Sequence, residues 1–160
     1  MQGACAGLGV SLALAADLLL AADDAYLLLA FARIGVMPDG GALAFLAERV
    51  GRTRATELAM LAEKLPAARA HDWGLVTAVH PVAELHDAAV TLTERLAAGP
   101  TVAYDSIKRT LVAAAGTTGA ALADHLEFEA TLQQRHGSTA DYAEGRAAFV
   151  EKRAPHYRGR

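Results

Sequence analysis

An aspartate in the segment FARIGVMPDGG, residues 31–41, is a candidate acid/base group. Asp39 follows an apolar stretch and Pro38, and it precedes Gly40 and Gly41. A carboxylate at such a place can transfer a proton during catalysis. It can also be an N-cap, because its oxygens can accept hydrogen bonds from the free amides of a helix that begins near residue 42. The local sequence favours the cap, and both interpretations stay open.

A backbone amide in the segment CAGLGVS, residues 5–11, is a second candidate. Gly7 and Gly9 flank Leu8, and glycine lets a backbone approach a ligand closely. A helix over residues 7–16 would place the Leu8 amide at its N-terminus, where amides lack partners and the helix dipole favours negative charge. Such an amide can hold an oxyanion. The simpler interpretation is that the glycines ease a contact between helix and sheet.

Three other motifs are weaker. GLGVSL, residues 7–12, begins like a dinucleotide-binding fingerprint but ends in Leu12. GVSLA, residues 9–13, resembles a nucleophile elbow whose last glycine is alanine. Both motifs need a strand ahead of them, and MQGACAG is a poor strand, so we expect neither a dinucleotide site nor a serine hydrolase. The six histidines lack ligand spacing and predict no metal.

The composition is typical of a globular protein that binds neither nucleic acid nor a membrane. The chain has 160 residues, 53% of them hydrophobic and 21% charged, with a net charge of -3. Its single cysteine, Cys5, excludes an internal disulfide, and no signal peptide is evident, so we expect a cytoplasmic protein. Asp17, Asp23 and Asp24 interrupt the apolar run over residues 8–32, which indicates buried core rather than a membrane span.

Apolar periodicity and the glycines and prolines predict a strand-containing first half and a helical second half. Strands are expected over residues 18–22, 25–30 and 75–80. Helices are expected over residues 7–16, 42–50 and 52–62, from Pro66 to a stop at Gly74, along the stripe Leu85, Ala88, Ala89, Leu92 and Leu96, and over residues 101–115, 119–135 and 139–151.

The segment GACAGLGVSLALAADLLLAADDAYLLLAFARIGVMPDGG closely resembles the crotonase (enoyl-CoA hydratase/isomerase) superfamily. The resemblance continues through RVGRTRATELAMLAEKLPAARAHDWGLVTAVHP and RLAAGPTVAYDSIKRTL to FVEKRAPHYRGR. It implies an α/β fold: a crotonase-like ββα spiral core over residues 1–81, truncated at its N-terminus, and a helical C-terminal region over residues 82–160. The first portion of the family's usual chain is absent, so we expect a fragment of a longer chain.

The resemblance assigns roles to several of these residues. The amide at the Leu8 place holds the thioester oxygen in the family as that oxygen becomes enolate-like. The positions expected at the substrate are Gly7, Gly9, Ser11, Phe31 and Gly40. The family's hydratases carry two glutamates, and their places are held here by Ser11 and Phe31. Water addition by paired glutamates is therefore disfavoured, because neither residue is a useful base.

Asp39 stands where some superfamily members place a catalytic aspartate. Such members include the ring-1,2-epoxyphenylacetyl-CoA isomerases and the 4-chlorobenzoyl-CoA dehalogenases. This chain resembles the isomerases in the pattern AF-x-RIG-x-x-PD. In an isomerase the aspartate would move a proton, and we would expect Phe31, Val36 and Met37 to form an apolar pocket around it. In a dehalogenase it would attack an aromatic carbon. The dehalogenases hold the aromatic ring of their substrate with a tryptophan at the place of Phe31. The tryptophan of this chain, Trp73, lies instead at a common family helix end, where its expected role is packing. The dehalogenase alternative is therefore weaker.

The C-terminal segment FVEKR resembles a CoA-binding segment. Lys152 matches a lysine that in relatives reaches a CoA phosphate, often from a neighbouring subunit, and Phe149 would pack beneath it. A solvated basic tail is the simpler alternative. The resemblance also implies a homotrimer or a hexamer, an acyl-CoA substrate, and no cofactor other than the coenzyme A of that substrate.

The expected function is therefore an acyl-CoA thioester isomerase that uses the Leu8 amide for oxyanion stabilisation and Asp39 as a proton shuttle. A non-catalytic fragment that acts only in packing and oligomerisation is the main alternative. Enoyl-CoA hydratase or dehalogenase-like activity is a further one.

Overall fold

The computed structural model describes residues 1–34, 36–114, 127, 131, 134–135 and 137–159. These residues form two compact units, Met1–Val90 and Thr91–Arg160, and each is described by itself. The domain boundary expected after residue 81 stays a prediction. The helix predicted over residues 119–135 falls mostly outside the described residues.

The first unit contains two small sheets. Strands β1 (Ala4–Ala6), β3 (Tyr26–Leu28) and β4 (Leu65–Pro66) form one sheet in the order β1-β3-β4. β1 runs parallel to β3, and β4 runs antiparallel to β3. Strands β2 (Leu20–Ala22) and β5 (Ala78–His80) form a parallel pair. The strands predicted from the apolar runs thus exist, each shorter than its run, and the α/β class is confirmed.

The prediction that no strand precedes the glycine motif is wrong. Ala4 pairs with Tyr26, Cys5 with Leu27 and Ala6 with Leu28. Only the middle residue of this strand is buried, so its sequence has no apolar run and little strand propensity. Its stability comes from backbone pairing with a strand about twenty residues further along the chain, which a local pattern does not reveal.

Glycines end and interrupt the helices of the first unit as the sequence predicted. Helix α2 spans Ala42–Leu61, but Gly51 within it has φ 75° and ψ 165°, so two helical pieces meet there. Helix α3 spans Ala67–Asp72. Gly74, with φ 80°, ends it: the Gly74 N–H donates to His71 and the Leu75 N–H to Ala70, which is the Schellman pattern.

Two further helical elements border the candidate site. Helix α1 spans Leu8–Leu14, within the predicted range, and a 3₁₀ turn spans Ala30–Ile34. The buried core consists mainly of apolar side chains from α1, β2, β3, β4, α2 and α3. Its largest fully buried apolar members are Leu14, Leu46, Leu65 and Val10.

The described chain from Leu85 onward is mainly helical. Helix α4 spans Leu85–Ala97 and crosses the division between the units, helix α5 spans Thr101–Ala114, and helix α6 spans Ala140–Glu151. These bounds confirm the predicted helices before Gly99 and after Thr139. The Thr139 side chain caps α6 by accepting a hydrogen bond from the Tyr142 N–H at 3.1 Å. No described helix has the length and apolarity needed to cross a membrane.

Candidate active site at the turn between β1 and α1

Gly7 makes the turn from β1 into α1. Its φ of 55° and ψ of -129° lie in a region that residues with a side chain rarely adopt. The Gly7 N–H donates to the Leu28 carbonyl of β3 at 2.9 Å, and the Gly7 carbonyl accepts from Val10 at 3.0 Å. The turn is therefore fixed on both sides, by the sheet and by the first turn of the helix.

The Leu8 amide lies where the sequence placed it, at the first position of α1. Within the described residues, neither the Leu8 N–H nor the Gly9 N–H has a protein acceptor. Free amides at a helix N-terminus favour an oxyanion. Gly9 has ordinary helical geometry, and an added Cβ would meet only the Cys5 Sγ at 4.0 Å. Of the two flanking glycines, only Gly7 is required by backbone conformation.

The segment that carries Asp39 packs against the same helix. The Ser11 hydroxyl of α1 donates to the Asp39 carbonyl at 2.9 Å. Gly40 has φ 60°, and a Cβ built on it would lie 2.6 Å from the Leu8 Cδ1 and 3.1 Å from the Ser11 Cβ. The turn at Gly7, helix α1 and the Asp39 backbone are thus brought together.

The interpretation of Asp39 as a side-chain N-cap is wrong. The N-cap of α2 is Gly41, with φ 82°, and no side chain caps this helix. Asp39 contributes its backbone instead, because its carbonyl accepts the Ala42 N–H at 3.2 Å. Its side chain is exposed and has no hydrogen bond or ion pair with any described residue. The carboxylate is therefore available to a ligand.

The apolar pocket expected around Asp39 is not formed by the described residues. Val36 is 51% exposed and Met37 is 73% exposed. Phe31 is partly buried in the 3₁₀ turn and packs against the core. Proximity in sequence suggested the pocket, but the chain after the 3₁₀ turn carries these side chains outward.

Phe149 and Lys152 lie in the second unit, near the end of α6. Phe149 is 85% exposed and borders an open cavity of about 470 Å³ that α5 and α6 line together with Tyr157. Lys152 is exposed, and its backbone ends α6 in the left-handed conformation, with φ 56°. The packing of Phe149 beneath Lys152 and the CoA-binding role of both residues stay predictions.

Charged groups fix the chain after α6. Arg153 makes two hydrogen bonds to Glu144, of 2.6 and 3.0 Å. These bonds lower the pKa of Glu144 to about 2. The buried carboxylate of Asp141 accepts backbone N–H groups from Arg158 at 2.7 Å and from Gly159 at 2.8 Å. The tail is therefore folded against α6, whereas a solvated basic tail was the alternative considered from sequence.

Sequence reasoning missed the contact between Ser11 and Asp39. The acceptor is a backbone carbonyl 28 residues further along the chain, and no pattern of side chains marks it.

Among the described residues, no three His, Cys, Asp or Glu side chains lie close enough to hold a metal ion.

The whole chain matches the sequence model of the enoyl-CoA hydratase/isomerase family, over residues 1–160. It is 40% identical over its full length to a Rhodobacter capsulatus protein named "Probable enoyl-CoA hydratase", of which it covers 61%. It is 38% identical over its full length to the 1,2-epoxyphenylacetyl-CoA isomerase of Escherichia coli, of which it covers 60%. The chain therefore spans about 60% of the length of these curated relatives.

Solved structures give the same answer for the fold. The chain superimposes on the crystal structure of an enoyl-CoA hydratase from a Polaromonas species with a TM-score of 0.91 and 37% identity, over 98% of this chain and 60% of the other. The strand, glycine turn and helix described above are thus part of a shared fold, and the chain belongs to the enoyl-CoA hydratase/isomerase family of the crotonase superfamily.

Proposed function

We propose that this chain carries the proton-transfer site of an acyl-CoA thioester isomerase. The observation that carries the proposal is the carboxylate of Asp39, which has no partner among the described residues and lies on a segment packed against α1. The first amide of α1, at Leu8, likewise has no acceptor in the described part of the chain. An acid/base group and an oxyanion donor on adjoining elements are what the isomerisation of a thioester through an enolate requires.

The reaction needs two proton transfers and one stabilised anion. Asp39 removes a proton from a carbon of the acyl chain, and the electron pair of that C–H bond moves toward the thioester carbonyl, whose oxygen becomes negative. The Leu8 N–H donates to that oxygen. The protonated Asp39 then returns the proton to a different carbon, so that the double bond shifts and the enzyme is regenerated. Coenzyme A is part of the substrate, and the mechanism uses no further cofactor.

The names of the two relatives indicate two different reactions. The E. coli relative is named a 1,2-epoxyphenylacetyl-CoA isomerase, which supports an acyl-CoA thioester as the substrate class. The R. capsulatus relative is named a hydratase. Ser11 and Phe31 at the expected places of the glutamates support the isomerase here, because neither side chain can activate water as a carboxylate does.

The proposal is tested by the isomerisation of 3-hexenoyl-CoA, with the longest protein that the reading frame encodes. Conversion to the conjugated 2-enoyl thioester changes the absorbance, and turnover would support the isomerase. A protein that binds acyl-CoA but turns over neither this substrate nor an epoxyphenylacetyl-CoA would support the non-catalytic alternative. Release of chloride from 4-chlorobenzoyl-CoA would support the dehalogenase-like one.

Hydration of crotonyl-CoA should be negligible, because the two places of the paired glutamates hold Ser11 and Phe31. Loss of the enoyl absorbance measures it, and an enoyl-CoA hydratase of the same family, assayed in parallel, provides the positive control. Rapid hydration that disappears in an Asp39→Asn variant would show that Asp39 activates water and that the proposed chemistry is wrong.

We also propose that the protein assembles as a homotrimer or a hexamer. Several large apolar side chains of the first unit are exposed, including Leu12 at 69%, Met37 at 73% and Met60 at 72%. Large apolar side chains are typical of an interface where they form a contiguous exposed patch. Sedimentation at micromolar concentration should therefore give a species larger than a monomer. A sharp monomer boundary without binding of a hydrophobic dye would contradict assembly.

A further inference from the structure

We propose that Ser11 is a positioning residue, whose hydroxyl holds the Asp39 backbone in place relative to the Leu8 amide. The inference rests on the proposed role of Asp39 and replaces the role at the substrate that the sequence suggested for Ser11. In this role the side chain connects the helix that carries the oxyanion donor with the segment that carries the carboxylate.

Ser11 is placed to make this connection. It is three residues after Leu8 on α1, so the two residues lie on neighbouring positions of one helix face. Its side chain is 1% exposed and its hydroxyl donates to the Asp39 carbonyl at 2.9 Å. A buried hydroxyl needs a hydrogen-bond partner, and the Ser11 hydroxyl donates its proton to the backbone carbonyl of Asp39. It is therefore not free to donate to a substrate.

The neighbouring contacts show that the segment is seated closely. The Asp39 carbonyl accepts from both the Ser11 hydroxyl and the Ala42 N–H, so it is joined to α1 and to the start of α2. Gly40 leaves no room for a methyl group between itself, Leu8 and Ser11. The loop and α1 are thus in close contact, and the Ser11 hydroxyl is the polar group of α1 that bonds to the loop.

The consequence for catalysis is geometric. The carboxylate of Asp39 is exposed and receives no support from other side chains among the described residues, so its place depends on its backbone. A displacement of about 1 Å in a reacting group can lower a rate by about 10²-fold. Loss of the hydroxyl should therefore affect turnover more than substrate binding.

The test compares Ser11→Ala with Ser106→Ala in the longest protein that the reading frame encodes. Ser106 is also buried in a helix, at 6% exposure, and it has no place in the proposed site. Ser11→Ala should lower kcat for 3-hexenoyl-CoA isomerisation about 10- to 100-fold with KM within twofold, and raise amide hydrogen exchange over residues 39–42. Ser106→Ala should change neither kcat nor this exchange. Ser11→Cys, which keeps the shape with a somewhat larger atom and a weaker donor, should give intermediate values.

A double-mutant cycle shows whether Ser11 acts through Asp39. In an Asp39→Asn background, Ser11→Ala should lower kcat no further, because the carboxylate that it positions is gone. Equal fold losses in both backgrounds, an increase in KM alone, or unchanged exchange over residues 39–42 would each overturn the inference. If Asp39→Asn itself keeps full activity, the proposed function fails, and the exchange measurement alone then decides whether Ser11 holds the segment.

Discussion

Replacing Asp39 by asparagine should lower the isomerase kcat by roughly 10²–10⁴-fold, the usual contribution of a positioned acid/base group. Asparagine has nearly the same shape but cannot take up a proton at neutral pH. Backbone contacts of Asp39 with Ser11 and Ala42 use its carbonyl and do not depend on its side chain. The loss should therefore appear in turnover, measured as absorbance change with 3-hexenoyl-CoA.

Stability should stay within about 0.5 kcal/mol of the wild type in the same variant, as for other exposed positions. The structure sharpens this expectation, because the cap of α2 is Gly41 and no side chain contributes. Asp39→Ala should be equally neutral, whereas loss of a side-chain cap would cost about 1 kcal/mol. Chemical denaturation of both variants measures the free energy of unfolding.

Asp72→Asn is the matched control, since Asp72 is an exposed carboxylate at the end of α3. It should change neither kcat nor stability. An Asp39→Asn protein with wild-type turnover and wild-type stability would end the catalytic role of Asp39 and with it the proposed mechanism.

The sequence predicted those parts of the fold that depend on local chemistry. Gly51 and Gly74 were identified as helix stops, because a positive φ is nearly confined to glycine, and both adopt one. The first helix was placed from its continuous apolar character, and its first residue, Leu8, follows a glycine turn. Such signals lie within a few residues of the feature that they determine.

Features that depend on distant partners were not predictable in the same way. Strand β1 has only one buried side chain, and its pairing with β3 gives it its conformation. The interpretation of Asp39 as a side-chain cap was wrong, because the N-cap of α2 is Gly41, two residues later, which has no side chain to cap the helix. The bond from Ser11 to the Asp39 carbonyl joins two elements whose proximity only the folded chain creates.

Replacing Gly7 by alanine should reduce both stability and turnover. A residue with a side chain at φ 55° and ψ -129° is strained by about 1–3 kcal/mol, and the free energy of unfolding should fall by that amount. A Cβ on Gly7 would meet no atom within 4 Å, so the effect comes from the backbone and not from a clash. Chemical denaturation measures this part of the prediction.

The effect on turnover follows from the peptide plane that Gly7 and Leu8 share. The ψ angle of Gly7 sets the direction of the Leu8 N–H, which is the proposed oxyanion donor. If alanine relaxes toward an ordinary conformation, this N–H turns away from the thioester oxygen. Loss of one such donor lowers kcat by about 10²–10³-fold, and we expect a loss of that order at temperatures where the variant remains folded.

Gly74→Ala separates the two effects. Gly74 also has a positive φ, of 80°, and open space where a Cβ would lie, but it ends α3 and has no part in the proposed site. Alanine there should lower the free energy of unfolding by about 1–2 kcal/mol and leave kcat unchanged. If Gly7→Ala loses stability to the same extent as Gly74→Ala but keeps its kcat, the direction of the Leu8 amide has no role in catalysis. A selective loss of kcat in Gly7→Ala would instead assign the oxyanion donor to this turn, because both variants strain a positive-φ backbone and only Gly7 lies at the proposed site.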